Sequence, residues 1–253
     1  MKITQIQMDI VWGDIAANCR TASALIDAAP GSDLYILPEM FSTGFATEPD
    51  DIADDQLTSL HWMQQKAQEI HAAICGSVAT KCADGSYHNR FYFVKPEDAD
   101  HPVYYDKHHL FTYGNEHLRY TAGNERVVVE YQGVRFLLQI CYDLRFPVFA
   151  RNKKGEGGYD AIIYVASWPT SRIEPWRTLL KARAIENQCY VYGVDRIGND
   201  PACAYCGGTE AIDPYGKVLA ACPDHEACTI TTLLDMDALQ AFRKKFPVLD
   251  DAD

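Results

Sequence analysis

Val134-Arg135-Phe136-Leu137-Leu138-Gln139-Ile140-Cys141-Tyr142-Asp143-Leu144-Arg145-Phe146-Pro147 is an apolar run that ends on a thiol and then turns. Its first seven residues lack a clean in/out alternation, which is the pattern of a strand covered on both faces. Just upstream, 127–131 reads as a second strand, and Gln132-Gly133 between the two is a hairpin signal. Downstream, 159–166 reads as another buried strand. Leu179, Leu180, Ala184 and Ile185 give 176–187 a helical period, and 188–194 is strand again.

The same alternation runs outward to both ends. Residues 2–8 read as a strand. Ile15, Cys19, Ala22, Leu25, Ile26 and Ala29 follow a capping Asp14 at helical spacing. The run 33–37 is a short buried strand stopped by Pro38. Leu57, Leu60, Ala67 and Ile70 mark one helix face; 72–78 reads as strand, and Asp84-Gly85 turns the chain into 86–94. A short strand falls at 103–105, a turn at Asp213-Pro214-Tyr215-Gly216, and a late strand at 227–234. Asp235 can cap a helix carrying Met236, Leu239 and Phe242. This mixture predicts a layered α/β protein with a mixed sheet. Two stacked sheets with helices outside is the preferred arrangement, although periodicity alone is shared with one doubly wound sheet.

Composition narrows the function. The chain has 253 residues, 47% of them hydrophobic and 23% charged, which is ordinary for a globular protein. A net charge of −12 argues against nucleic acid, since phosphate binding needs clustered Lys and Arg and the densest run is only Arg243-Lys244-Lys245. No stretch approaches the roughly 18 apolar residues of a membrane span. The first residues lack the apolar core of an export signal, so a cytoplasmic protein is expected. Nine irregularly spaced cysteines then read as reduced thiols. No linker composition divides the chain, so one domain over 1–253 is expected, with 235–253 a C-terminal helix and tail.

Three reactive side chains share one setting. Glu39 follows the strand 33–37, Lys107 follows 103–105, and Cys141 follows 134–140. Ligands in α/β sheets bind beyond strand C-termini. Taken singly, each is ordinary: a cysteine ending an apolar strand is usually core, and a lysine after a strand is usually a solvated charge. Together they match a family. Leu37-Pro38-Glu39-Met40-Phe41, Asp106-Lys107-His108-His109-Leu110-Phe111 and Ile140-Cys141-Tyr142-Asp143-Leu144-Arg145-Phe146-Pro147 resemble, in order, the three signature blocks of the nitrilase superfamily, the carbon–nitrogen hydrolases. His88-Asn89-Arg90 and 183–188 are also similar to members of it, and the resemblance covers about 2–234.

That resemblance implies a single-domain four-layer α-β-β-α sandwich. It implies that Cys141 attacks an amide carbon, with Glu39 as general base and Lys107 as a fixed cation. The second carboxylate of the family matches Glu116, nine residues after Lys107; Glu125 is the competitor, held second because it follows Gly123-Asn124 in an apparent turn leading into the next strand. A thiol with a pKa of about 8.5 needs such a base near neutrality. Lys107 and the Tyr142 backbone N–H would stabilise the oxyanion. No cofactor or metal is expected, and the resemblance implies a homodimer or larger assembly. Within the superfamily the chain resembles the omega-amidase-like branch, on Ala166-Ser167-Trp168-Pro169 followed by Arg172. There Arg172 would pair with the carboxylate of a 2-oxo acid amide such as 2-oxoglutaramate or 2-oxosuccinamate, and Trp168 and Phe45 would wall the pocket. Nitrile, carbamoyl-amino-acid and deaminated-peptide amide hydrolysis use the same nucleophile set and remain alternatives. Outside catalysis, Cys203 and Cys206 with Cys222, His225 and Cys228 have partial zinc spacing, and an inactive scaffold of the same fold is a further reading.

Overall fold

Strand β7 (Val134–Ile140) lies inside the molecule because both its faces are covered, as its composition predicts. Phe136, Leu138 and Ile140 enter one apolar core, while Leu137 enters another on the opposite side. The computed structural model describes residues 1–155 and 157–251; the last two residues of the expected tail, Ala252 and Asp253, lie outside the described residues.

The first sheet contains β1 (Lys2–Gln7), β2 (Leu34–Ile36), β3 (Ala73–Lys81), β4 (Tyr87–Val94) and β5 (Val103–Asp106), with β14 (Cys228–Leu233) beside β1. The second runs from β6 (Val128–Tyr131) through β7, β8 (Ala161–Ala166) and β9 (Tyr190–Asp195) to β12 (Glu210–Ile212) and β13 (Val218–Ala221). Both are mixed: β1, β2 and β3 are parallel, as are β7, β8 and β9, and the outer pairs are antiparallel. Gln132 and Gly133, both at positive φ, make the tight β6–β7 turn read from the sequence.

Three cores define four layers. Between the sheets, Ile36, Phe91 and Phe93 of the first meet Phe136, Leu138 and Ile163 of the second, with Phe93 and Phe136 ring centroids 6.0 Å apart. Helices α1 (Ile15–Ala28) and α2 (Thr58–Ile70) bury Ala22, Ile26, Met63 and Ala67 against Ile6, Tyr35 and Ile74 of the first sheet. After the single turn α3 (Pro147–Ala150), α4 (Ile173–Asn187) packs Trp176, Leu180 and Ala184 on Leu137, Ile162 and Val191. This is an α-β-β-α sandwich. Among the described residues no helix is long and apolar enough to cross a membrane.

The expected caps form: Asp14 accepts from Ala17 N and Asp235 from Ala238 N. Some helix faces differ from expectation. Leu57 sits ahead of α2 in a left-handed conformation and Met63 fills the buried stripe instead. Ile185 is 55% exposed, and the buried side of α4 uses Arg183, whose Nη2 bonds Leu144 O. A ribbon of β10 (Ile197–Asn199) and β11 (Ala204–Cys206), three residues each, carries no periodic signal and was not expected. The C-terminal helix α5 (Met236–Lys245) folds back on its own chain. There the Phe242 and Tyr215 ring centroids lie 3.9 Å apart with the rings tilted by 35°, and Arg243 bonds Asp160 and Tyr159 O. All nine cysteines are free thiols, and among the described residues no three His, Cys, Asp or Glu side chains group as metal ligands would.

Phe136 joins the two inner faces. Phe136→Ala is expected to cost about 3–5 kcal/mol through lost burial and a residual cavity, read as a lower urea midpoint with an unchanged m-value.

Candidate active site

Loops leaving the ends of β2, β5, β7 and β8 converge at one place, bringing Glu39, Lys107, Glu116 and Cys141 together. Glu39, Lys107 and Glu116 are fully buried. Lys107 Nζ donates to Glu39 Oε1 at 2.9 Å and to Glu116 at 2.9 Å (Oε2) and 3.2 Å (Oε1). Glu125 is exposed, so Glu116 is the second carboxylate of the cluster. Asn89 Nδ2 bridges the two acids, 2.8 Å from Glu39 Oε1 and 3.1 Å from Glu116 Oε1. Glu39 Oε2 accepts the Ser167 N–H at 2.7 Å, and Glu116 Oε2 accepts the Phe111 N–H at 2.6 Å. Phe45 covers Lys107, its ring centroid 5.2 Å from Nζ.

Local chemistry explains each placement. After β2 the chain follows β3: Leu37 N bonds Cys75 O, and Met40 N bonds Ser77 Oγ. Gly76 permits this approach, since a Cβ there would lie 2.8 Å from Leu37 Cβ. Cys141 leaves β7 at φ 45°, a left-handed conformation that costs a non-glycine residue energy and persists only where the surroundings hold it. Asp143 is the clamp. Its Oδ2 accepts Ile140 N at 3.0 Å and Tyr105 Oη at 2.7 Å; its Oδ1 accepts His109 N at 2.9 Å. One buried carboxylate thereby ties the turn bearing Cys141 to the loop bearing Lys107.

The electrostatics follow from burial. Burial alone would push the Lys107 ammonium down, but Glu116 and Glu39 outweigh it and hold its pKa above the ordinary lysine value. Burial raises the Glu116 carboxyl, with Lys107 opposing and Glu39 reinforcing. The Cys141 thiol is pushed well up, first by burial and then by Glu39, with Lys107 pulling the other way. Burial and Glu39 thus both favour the protonated form of the Cys141 thiol.

Cys141 opens onto a pocket lined by Phe45, Phe111, Tyr142, Trp168, Arg172 and Tyr205, among others. Arg172 lies 5.5 Å from the Phe111 ring centroid and 5.8 Å from that of Tyr113, and its carbonyl accepts Trp168 Nε1 at 2.6 Å. Arg145, which the sequence reading passed over inside the cysteine block, is a second cation on the wall, 5.0 Å from the Trp168 ring. Asn89 was likewise not assigned a role. Its signal was available: it shares a strand face with Phe91 and Phe93, and an amide in an apolar row needs a polar partner. Cys203 lines the pocket, whereas Cys206 lies on β11.

A family model described as carbon-nitrogen hydrolase matches residues 2–244. The chain is 46% identical to an omega-amidase, YafV, of Escherichia coli (strain K12), over all of this chain and 97% of that protein. It is 33% identical to a 2-oxoglutaramate amidase of Bacillus subtilis (strain 168), over 98% of this chain and 96% of the relative. The crystal structure of XC1258 from Xanthomonas campestris, a CN-hydrolase superfamily protein with an arsenic adduct in its active site, superposes with a TM-score of 0.95. It is 40% identical, covering 100% of this chain and 97% of that one. The chain belongs to the carbon–nitrogen hydrolase family of the nitrilase superfamily, hydrolases of amide carbon–nitrogen bonds.

A thiol held protonated should alkylate slowly at neutral pH. The rate of Cys141 modification by iodoacetamide is expected to keep rising from neutral into alkaline pH, as the thiolate fraction grows. A plateau reached below neutrality would mean a preformed thiolate and contradict this charge assignment.

Proposed function

We propose that the protein is an omega-amidase that hydrolyses the terminal amide of 2-oxo acid amides such as 2-oxoglutaramate and 2-oxosuccinamate through a Cys141 thioester. The observation that carries the reading is the buried Glu39–Lys107–Glu116 cluster beside the Cys141 thiol, opening on a small pocket with two arginines. The relatives of E. coli and B. subtilis support the choice of substrate.

Glu39 takes the Cys141 proton as sulfur bonds the amide carbon, and the carbonyl π pair moves to oxygen. Lys107 and the Tyr142 N–H serve as donors to that oxyanion. The Tyr142 N–H belongs to the first turn of the short 3-10 helix after β7, where donors lack intrahelical acceptors. Each donor of this kind is worth about 3–4 kcal/mol. When the oxyanion collapses, the C–N bond breaks, Glu39 delivers its proton to nitrogen and ammonia leaves. Water then loses a proton to Glu39, attacks the thioester, and the sulfur departs and regains the proton. Glu116 holds Lys107 in place throughout. Arg172, with Arg145 also lining the pocket, binds the substrate carboxylate as a charge-assisted pair that offsets the −12 charge of the chain. Trp168 and Phe45 wall the reacting end. Every step is carried by the chain's own side-chain and backbone groups with one water, so this reading involves no cofactor or metal.

Cytoplasmic location and homodimerisation are part of the same proposal. Sedimentation of the purified protein is expected to give a dimer, and a monomer would remove homodimerisation from the proposal.

Purified protein should release ammonia from 2-oxoglutaramate faster than from glutamine or simple nitriles; faster turnover of a nitrile or a neutral amide would overturn the substrate assignment. Cys141→Ala should abolish turnover while leaving the circular dichroism spectrum unchanged. Arg172→Ala should raise KM for 2-oxo acid amides by roughly tenfold or more, consistent with loss of a charge-assisted pair, and raise it less for neutral amides. Equal effects on both would remove its assigned role.

A further inference from the structure

One buried acid near the thiol has no part in the steps above. Asp195 ends β9 and is fully buried. Its Oδ1 accepts two backbone N–H groups, Trp168 N at 2.8 Å and Arg196 N at 2.9 Å. Among the described residues its Oδ2 has no partner. The neighbouring N–H, that of Ser167, is the one that holds Glu39 Oε2 at 2.7 Å. Consecutive amides of one turn therefore hold two carboxyl groups, Glu39 from the first sheet and Asp195 from the second.

We propose that Asp195 is a positioning residue for Glu39 and Trp168, and that it performs this role as an uncharged carboxylic acid. The geometry excludes the ordinary way of burying a charge. Arg196, next in sequence, sends its guanidinium elsewhere: to Ile197 O at 3.0 Å, Ile10 O at 3.1 Å, Asn199 O at 3.3 Å and Asp9 Oδ1 at 3.2 Å. An ionised Asp195 would be a fully buried charge with one bare oxygen and, among the described residues, no ion pair, which is strongly unfavourable. Around it lie Glu39, the thiols of Cys141 and Cys206, and the Arg196 charge, so ionisation would add a second negative charge beside the base and the nucleophile. Burial, the first cause, raises its pKa well above the ordinary aspartate value; its two backbone donors pull down, Glu39 raises and Arg196 lowers. As a neutral acid it keeps an acceptor for the turn without discouraging loss of the Cys141 proton.

This inference rests on the roles given to Glu39 and Cys141, so its test includes a readout that needs no turnover. The infrared carbonyl stretch of a protonated carboxyl is expected in the wild-type protein at neutral pH and absent from Asp195→Asn. No difference between the two would overturn the neutral state whatever the substrate proves to be. Kinetically, Asp195→Ala should lower kcat roughly 10–100-fold, the effect of slightly misplaced reacting groups, with KM little changed, and Asp195→Asn should restore kcat to within about threefold. An Asn variant as impaired as the Ala variant would show that the negative charge or the proton is needed. Full kcat in a folded Ala variant would remove the positioning role. If the Ala variant does not fold, the Asn variant and the infrared band still decide the question.

Discussion

A buried ammonium has to be surrounded before the chain can keep it. Lys107 has no exposure, and the free energy of removing it from water is recovered only by carboxylates and their own donors held at bonding distance. Glu39 and Glu116 meet that need, and they in turn need Asn89, Ser167 N and Phe111 N. These partners come from both sheets, so satisfying one charge draws the sandwich together at one edge. The geometry of the site and the closure of the fold are there the same constraint.

The same dryness sets the chemistry. A thiol in water is mostly protonated near neutral pH, and here burial and Glu39 push the Cys141 thiol further up. In the proposed mechanism, exclusion of water would also strengthen each donor aimed at the developing oxyanion. The left-handed turn at Cys141 is a local cost of presenting the sulfur, and Asp143 offsets it with bonds to the turn and to the Lys107 loop. Asp143 was quoted in the sequence as part of a motif, yet its physical work appears only once Tyr105 and His109 are seen to meet it.

What could be read from the chain followed from short-range rules. The two-sided apolar runs at β7 and β8 announced a covered sheet, Asp14 and Asp235 announced helix starts, and Gln132-Gly133 announced a hairpin. Helix faces were less legible where long polar side chains are buried. Arg183 lies inside α4 because its guanidinium finds the Leu144 carbonyl, whereas Ile185 lies outside although it is apolar.

The sequence by itself determined the strand and helix order and the three motifs whose resemblance named Glu39, Lys107 and Cys141, because hydrophobic periodicity and local chemistry act over a few residues. Only the tertiary structure decided that Glu116 and not Glu125 completes the cluster, that Asn89 bridges it, that Arg145 lines the pocket at Cys141 and that Asp195 has no counterion among the described residues. Each of those depends on which groups from distant segments meet without water between them, and a spacing along the chain carries no record of that.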